Sequence, residues 1–495
     1  MAFSSDADEI KEWIEQTREF RHIQDGADDF PLQYFFDVRD AIKRIRLENT
    51  HLEESELFDL RRSLQTINDI VRYLNRAEDK GEDVDPAPLY PALYRLTQDV
   101  ATYPQLVQGI DQILDKFGHI RDNASPELLN IRRELARAES SVSKTLYSIL
   151  RSAQSEGLVD KDVTPTLRDG RLVIPVMPGM KRKISGIVHD ESATGKTVFI
   201  EPSEVVEANN RIRELESEER HEIIRILTTF TNKVRPHSRD ILESYSFLAT
   251  IDFIRAKAEL EKLTKAMEPE ITDKPHVDWI QSRHPLLQLS LEKQGKKVVP
   301  LDIILNKDKH ILIISGPNAG GKSVCLKTVG VLQYMVQCGL SIPVGDRSTV
   351  GIFDNVMIDI GDEQSLENDL STYSSHLLNM KNMMRQANNK TIILIDEFGT
   401  GTEPQIGGAI AEAVLEQFCN KGAWGVITTH YQNLKHFADS HEGVANGAML
   451  YDRHEMRALF QLAIGRPGSS FAIEIARKTG LPEEVIQKAS EIVGS

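Results

Sequence analysis

A glycine-rich turn between two apolar segments is the feature that most constrains the fold of this chain. Residues 311–330 read ILIISGPNAGGKSVCLKTVG, and the turn matches the pattern G-x-x-x-x-G-K-[ST]. In such turns backbone N–H groups surround a diphosphate, the lysine neutralises the outer phosphates, and the hydroxyl ligates Mg²⁺ at a helix N-terminus. We therefore expect a strand, a loop that binds ATP and Mg²⁺, and a helix; the alternative is a turn without a nucleotide. The predicted nucleotide contacts are Gly316, Pro317, Asn318, Ala319, Gly320, Gly321, Lys322 and Ser323.

Two later strand candidates end in polar residues. The apolar run TIILI is followed by Asp396 and Glu397, and the run WGVITT is followed by His430. Ligands of open α/β sheets bind outside the carboxyl ends of the strands, and adjacent strand residues face opposite sides. We therefore predict that Asp396 and Ser323 hold Mg²⁺ and that Glu397 is the general base. Lys322 and His430 complete the predicted catalytic set, with His430 placed near the γ-phosphate. An acidic pair and a histidine at these positions also occur for structural reasons alone.

Composition excludes several classes of protein. A chain of 495 residues with 40% hydrophobic content predicts two to four domains. The three cysteines show no C-x-x-C spacing, which argues against a disulfide framework or a zinc site and favours the cytoplasm. Neither a run of eighteen apolar residues nor the pattern of a signal peptide is present, so we expect no membrane partner. The net charge of -16 implies that any nucleic acid is bound locally.

Changes of periodicity divide the chain into segments. Helical spacing dominates residues 1–160 and 204–270, a segment rich in Val, Ile, Gly and Pro lies between them, and strand and helix candidates alternate after residue 271. A β-rich segment between two helical runs would lie at the tip of a helical hairpin. A compact helical bundle with a β-hairpin on one side fits the periodicity equally well.

The stretch DIGDEQSLENDLSTYSSHLLNM carries two hydroxyl residues before a helical pattern. Ser371 and Thr372 are expected to cap a helix that begins near Tyr373. Capping explains these residues sufficiently. A helix N-terminus with two hydroxyl groups also accepts a phosphate, and the spacing does not say whose phosphate that is.

Several motifs together resemble the ATPase domain of the MutS family. They are GPNAGGKS, DIGDEQS, STYSSH, IDEFGTGTEP and TTHY, in the order of its second branch, MutS-two. The resemblance continues upstream through SRHPLL, GKTVFIEP, LRDGRLVIPV, GIVHDESATG and GHIRDNASPELLNIRR, and downstream through IGRPGSSFAIEIARKTGLPEEVI. It implies a multidomain fold with a helical core, long lever helices, a small β-rich clamp, and an α/β P-loop ATPase domain of the ABC type. The implied segments are a core at 1–125, outgoing levers at 126–160, a clamp at 161–203, returning levers and core at 204–270, and the ATPase domain at 271–495.

The resemblance also implies a shared nucleotide site. The ATPase domain would dimerise through its C-terminal helices, and Ser371 and Thr372 would complete the ATP site of the partner subunit. MutS-two chains usually begin with a further helical segment and end with a linker and an Smr nuclease domain. Neither is seen here, so we expect an excised or abbreviated member without nuclease activity. The triplet FIE at 199–201 matches the F-x-E form of a mismatch wedge, but it lies in the clamp segment and is read as a chance match.

The remaining prediction concerns the molecule that the lever helices and the clamp would hold. Lys181, Arg182, Lys183 and Lys196 would meet a phosphate backbone, although a solvated loop explains them equally well. The predicted function is an ATP-hydrolysing dimeric clamp that acts on branched DNA without mismatch recognition. One alternative is an ATPase that splits stalled or collided ribosomes. Another is a nucleotide-regulated binding module with little turnover, against which the intact Glu397 argues.

Overall fold

The computed structural model describes residues 1–78, 81, 83–361, 369–469 and 471–493, with the backbone alone at 369–372. The chain forms two compact units. The first, here called the α/β unit, contains Met1–Asp29 and Asp252–Ser495, and the second, the helical unit, contains Phe30–Ile251. Among the described residues, no helix is both long enough and apolar enough to cross a membrane.

The helical unit consists mainly of helices around one apolar core, with a small sheet inserted between the two longest. The core gathers buried side chains of the segments 38–64, 106–128 and 226–245. The elements are α2 (Arg39–Arg44), α3 (Glu54–Leu74), β1 (Ala77–Glu78), β2 (Ala87–Pro88), α4 (Pro91–Thr97), α5 (Pro104–Ile113), α6 (Pro126–Ser155), β3 (Thr166–Arg168), β4 (Arg171–Val176), β5 (Gly186–Glu191), β6 (Val198–Pro202), α7 (Ser203–Val234) and the first part of α8 (Ser238–Leu263).

Helices α6 and α7 form the hairpin that was one of the two expected arrangements. At one end the Ser125 hydroxyl donates to Glu222 Oε1 at 2.8 Å. At the other end Leu146, Val205 and Ile200 share an apolar cluster, so the sheet β3-β4-β6-β5 packs on the tip of the hairpin. The 30 residues of α6 span about 45 Å at 1.5 Å per residue. The β-rich segment therefore lies at the end of a long helical pair.

The α/β unit contains the remaining elements. They are α1 (Ala7–Asp25), the last part of α8, β7 (Glu270–Ile271), β8 (Val277–Ser282), α9 (Pro285–Lys293), β9 (Leu301–Leu305), β10 (Ile311–Ser315), α10 (Lys322–Gln337), β11 (Thr349–Val350), β12 (Asn355–Asp359), α11 (Asp369–Gln386), β13 (Thr391–Ile395), α12 (Pro404–Asn420), β14 (Trp424–Thr428), α13 (Gln432–Ser440), β15 (Val444–Asp452), β16 (Arg457–Ile464), α14 (Ala472–Lys478) and α15 (Glu483–Val493).

The main sheet of this unit has the order β12-β13-β14-β10-β15-β16. Its first five strands are parallel, and β16 pairs antiparallel with β15. Strands β10, β13 and β14 are buried along their whole length, which is why the sequence shows them as continuous apolar runs. They agree with the three predicted strands. Because they are parallel neighbours, their carboxyl ends meet at one edge of the sheet. A smaller sheet has the order β7-β11-β8-β9.

The N-terminal helix departs from the expected segment boundaries. We expected residues 1–125 to form one helical core, whereas Ile10 and Ile14 of α1 pack in the cluster that contains Leu332 of α10. The side chain of Gln337 also donates to the carbonyl of Ser4 at 2.9 Å. These contacts place α1 in the α/β unit. Its helical periodicity indicates that one face must be covered, but it does not indicate which part of the chain covers it.

Candidate nucleotide site

Two glycines give the loop after β10 its shape. Gly316 and Gly321 have φ values of +147° and +94°, which side chains rarely adopt. A Cβ atom on Gly316 would lie 3.1 Å from Met449, and one on Gly321 would lie 3.2 Å from Phe460. Gly321 directly precedes α10, so the loop ends at a helix N-terminus. The backbone can therefore curl closely around an anion, as the motif requires.

Lys322 lies inside the site rather than on the surface. Its side chain is 1% exposed, and its Nζ atom lies 3.3 Å from Asn318 Oδ1 and 3.5 Å from Glu397 Oε1. A buried ammonium group is stable only when it is paired and hydrogen-bonded. Glu397 and Asn318 provide those partners, so the charge of Lys322 is held beside the loop.

Asp396 links the loop to two neighbouring strands. Its Oδ2 atom accepts a hydrogen bond from the Ser323 hydroxyl at 2.8 Å, and its Oδ1 atom accepts one from the Thr428 hydroxyl at 2.5 Å. Adjacent oxygen ligands of an octahedral Mg²⁺ lie about 2.9 Å apart, given bonds of 2.0–2.1 Å. The Ser323 and Asp396 oxygens therefore fit the metal-side role predicted for them. Thr428 was missed, and its only sequence signal is the first threonine of TTH.

Glu397 points back toward the loop because the chain turns directly after β13. Its φ is +51°, and its N–H donates to the Thr428 hydroxyl at 2.8 Å. The expected alternation of strand residues does not apply here, since β13 ends at Ile395 and both carboxylates lie beyond the strand. His430 Nδ1 lies 3.2 Å from Glu397 Oε2. This hydrogen bond, with the nearby charge of Lys322, lowers the pKa of Glu397 despite its partial burial. The carboxylate is consequently ionised at neutral pH.

The comparisons with known proteins agree with this geometry. Residues 312–495 match the family model of MutS domain V. The chain is 38% identical over 492 residues to Endonuclease MutS2 of Geobacillus sp. (strain WCH70), which covers 99% of this chain and 61% of that protein. It is 37% identical over 489 residues to Endonuclease MutS2 of Enterococcus faecalis (strain ATCC 700802 / V583), at 99% and 60% coverage.

The chain belongs to the MutS2 branch of the MutS family. A third MutS2 relative, from Pelotomaculum thermopropionicum (strain DSM 13744 / JCM 10971 / SI), is 43% identical over 400 residues, or 81% of this chain and 50% of that protein. The chain thus spans about three fifths, or less, of the length of these relatives.

In this MutS2-type chain, a C-terminal segment also lines the loop. A cleft of about 970 Å³ lies between Asn318 and the segment around Gly468. Lys435 Nζ donates to the Gly468 carbonyl at 2.9 Å, and the Gly468 N–H donates to the Ser315 hydroxyl at 2.7 Å. Burial lowers the pKa of Lys435, and the charge of Lys322 adds to this effect. The sequence analysis did not identify Lys435, because an isolated lysine on a helix belongs to no recognisable motif.

A second, apolar cavity lies beside Gly321. Its volume is about 410 Å³, and it suits the flat apolar face of a nucleotide base. It is lined by Ser282, His284, Leu287, Leu291, Lys296, Lys297, Val298, Val299, Leu301, Gly321, Val324, Thr328, Met449 and Phe460. Burial lowers the pKa of His284, which favours a neutral ring. The SRHPLL motif was noted in the sequence, but its place beside the loop was not predicted.

The predicted helix start near Tyr373 is wrong. Helix α11 runs over Asp369–Gln386, so Ser371 and Thr372 lie within the helix rather than before it. Residues 369–371, which precede Thr372, are already helical. The sequence pattern did not show whether the two hydroxyl residues precede the helix as a cap or lie within it. The side chains of Ser371 and Thr372 lie outside the described residues, so their predicted role stays a prediction.

The predicted nucleic-acid contacts lie in two exposed segments next to β5. Lys181, Arg182 and Lys183 are exposed in a short 3₁₀ helix before β5, and Lys196 is exposed in the turn after it. Within the described part of the chain, none of the four makes an ion pair.

The FIE triplet is part of a buried structure. Glu201 is 0% exposed, pairs with Arg171 and His189, and accepts a hydrogen bond from Asn209 at 3.3 Å. Phe199 is buried as well. Neither side chain is free to contact a base, which agrees with a chance match to the mismatch wedge.

Proposed function

We propose that this protein binds ATP with Mg²⁺ in the α/β unit and hydrolyses it. The observation that carries the proposal is the convergence of four groups on the glycine-rich loop. Lys322 and Ser323 follow the loop, while Asp396 and Glu397 reach it from the end of β13, which is separated from β10 by β14. Asp396 lies 2.8 Å from Ser323, and Glu397 lies 3.5 Å from Lys322. A nucleotide-binding turn without hydrolysis does not require the second carboxylate.

Each residue has a chemical role in this proposal. Lys322 neutralises the outer phosphates, and Ser323 and Asp396 hold Mg²⁺, which supplies charge stabilisation at the phosphates. Glu397 is ionised and accepts the proton of the attacking water. His430 orients Glu397 through their hydrogen bond, and the predicted position of His430 at the γ-phosphate is part of the same proposal. The apolar cavity beside Gly321 receives the adenine base.

The test compares ATP turnover by the unaltered chain with that of Glu397→Ala. Loss of a general base typically lowers turnover by about 10² to 10⁴ fold. Binding of a fluorescent ATP analogue should persist in Glu397→Ala and be lost in Lys322→Ala. Glu455→Gln, which alters an exposed carboxylate paired with Arg457, is the control. Equal turnover in the unaltered chain and Glu397→Ala would favour a nucleotide-regulated binding module instead.

Two copies of the chain are proposed to associate through the α/β unit. Four large apolar side chains are exposed on α15 and just before it, namely Leu481, Val485, Ile492 and Val493. An exposed apolar surface of this kind supports contact with a partner subunit. By the family resemblance, Ser371 and Thr372 would then contact the partner's nucleotide. Sedimentation with and without ATP tests the association, and Val485→Glu should weaken it. A monomer under both conditions would contradict this part.

The proposed target is a large molecule with a phosphate backbone, and branched DNA is preferred. The support is the exposed cationic group of residues 181–183 at the tip of the α6–α7 hairpin. Glu397→Ala with ATP should retain a four-way DNA junction more strongly than linear duplex. Retention of ribosomes instead of DNA would favour the ribosome-splitting alternative, and retention of neither would contradict the clamp.

A further inference from the structure

A second polar cluster lies beside the proposed hydrolytic site, and the chemistry proposed above does not use it. Asp359 is the last residue of β12, and its carboxylate is almost fully buried. It accepts hydrogen bonds from His376 Nδ1 at 2.7 Å and from Asn379 Nδ2 at 3.1 Å. His376 and Asn379 are one turn apart on α11. The cluster therefore ties one face of α11 to the end of β12.

The same aspartate is bonded to the metal-side residue. The carbonyl oxygen of Asp359 accepts a hydrogen bond from the N–H of Asp396 at 3.0 Å. Asp396 in turn accepts from Ser323 and Thr428. A continuous series of hydrogen bonds thus runs from α11 through Asp359 to the groups around the glycine-rich loop. Asp359 is thus the single residue that connects His376 to Asp396, so a shift of His376 would disturb Asp396 through Asp359.

A small cavity connects the cluster to the proposed general base. Its volume is about 20 Å³, enough for one water molecule, and Asp359, His376, Tyr373 and Glu397 all line it. The hydroxyl of Tyr373 is buried and has no hydrogen-bond partner among the described residues. A buried hydroxyl without a partner costs free energy unless a water molecule satisfies it. The cavity therefore has both the size and the polar groups that such a water needs.

The orientation of the histidine follows from its partner. A carboxylate only accepts hydrogen bonds, so Nδ1 carries the proton toward Asp359 and Nε2 is the nitrogen left for other contacts. His376 does not line the cleft beside the glycine-rich loop. It is therefore placed to act on the site through Asp359 and the small cavity, and not by contact with the nucleotide.

We propose that His376, oriented by Asp359, is a positioning residue for ATP hydrolysis. It holds α11 and one buried water against the Glu397 side of the site, so that Asp396 and Glu397 keep the orientation that hydrolysis needs. This inference rests on the proposed ATPase function. If His376 and Asp359 only stabilised the fold, replacing His376 would lower stability but would not lower kcat selectively relative to ATP affinity.

The experiment measures turnover and affinity separately. His376→Ala should lower kcat about tenfold, while the dissociation constant of a fluorescent ATP analogue changes less than twofold. His376→Asn should restore kcat to within about threefold, because its amide N–H can replace Nδ1 as the donor to Asp359. His441→Ala, a histidine stacked on Phe437, is the matched control and should retain full kcat. In Asp359→Ala, adding His376→Ala should cause no further loss, since the two residues act as one unit.

The outcomes separate this inference from the function on which it rests. An unaltered kcat in His376→Ala overturns the inference while ATP hydrolysis by the unaltered chain still stands. A parallel loss of kcat and ATP affinity also overturns it, as does failure of His376→Asn to restore turnover in a protein with an unchanged melting temperature. If Glu397→Ala hydrolyses ATP as fast as the unaltered chain, the proposed function fails, and the positioning role fails with it.

Discussion

Replacement of Thr428 by valine should impair hydrolysis although Thr428 contacts no nucleotide in the proposed function. The side chain is fully buried and serves two neighbours at once, donating to Asp396 Oδ1 and accepting from the Glu397 N–H. Valine has nearly the same shape, so Thr428→Val removes the hydroxyl without opening a cavity. A hydrogen bond to a charged group contributes about 1.5–3 kcal/mol, and an unpaired buried N–H costs about 1–3 kcal/mol.

The loss should appear in both stability and turnover. We expect the unfolding free energy of the α/β unit to fall by about 2.5–6 kcal/mol, the sum of these two contributions. We also expect kcat to fall roughly 10- to 100-fold, since 1.4 kcal/mol corresponds to a factor of ten. The three tryptophans, Trp13, Trp279 and Trp424, all lie in the α/β unit, so urea unfolding followed by tryptophan fluorescence reports on that unit.

A second buried threonine provides the control. Thr391 begins β13, at the opposite end of the neighbouring strand, and its hydroxyl also makes two hydrogen bonds, both to Asn388 at 3.1 and 3.2 Å. Thr391→Val should lower stability by about 1–2 kcal/mol and leave kcat within twofold. If the two variants lose turnover equally, or if Thr428→Val keeps full kcat, the assignment of Thr428 to the positioning of the carboxylates is refuted.

Three further predictions concern other parts of the chain. Burial lowers the pKa of Lys257 from 10.5 to about 8, so the unfolded state binds more protons than the folded state between these pH values. The unfolding free energy should therefore rise with pH across that window, by at most roughly 3 kcal/mol. Urea titrations at several pH values should show this rise in the unaltered chain and not in Lys257→Met. Gly321→Ala should weaken binding of the ATP analogue at least tenfold because φ is +94° and Phe460 is close, whereas Gly295→Ala, with φ +71° and open space, should not. Alanine at residues 181–183 should reduce the salt dependence of junction binding by up to about 2.7 in log–log slope, at 0.9 per lost phosphate contact, while a change in the proposed ATP turnover would argue against this separate role.

Local pattern was sufficient for three strands of the α/β unit, β10, β13 and β14, and for the loop after β10. Runs such as TIILI are apolar at every position because both faces of the strand are covered, and that burial is visible in the sequence itself. The glycines of the loop are equally local, since Gly321 has a left-handed φ and a Cβ on it would lie only 3.2 Å from the Phe460 side chain. The long helices α6 and α7 also followed from periodicity. What their periodicity left open was the hairpin, because an apolar stripe does not name its partner.

The sequence by itself determined which residues carry the proposed phosphate chemistry, because the spacing of a glycine-rich loop and the ends of buried strands are fixed by backbone geometry over a few residues. Only the tertiary structure decided which groups support them. Thr428, Lys435, and the pair Asp359 and His376 reach the site from strands and helices far apart in the chain, and none belongs to a spacing rule. The placement of α1 in the α/β unit was decided in the same way. Such contacts depend on how sheets and helices pack, and that is a property of the whole unit rather than of any short segment.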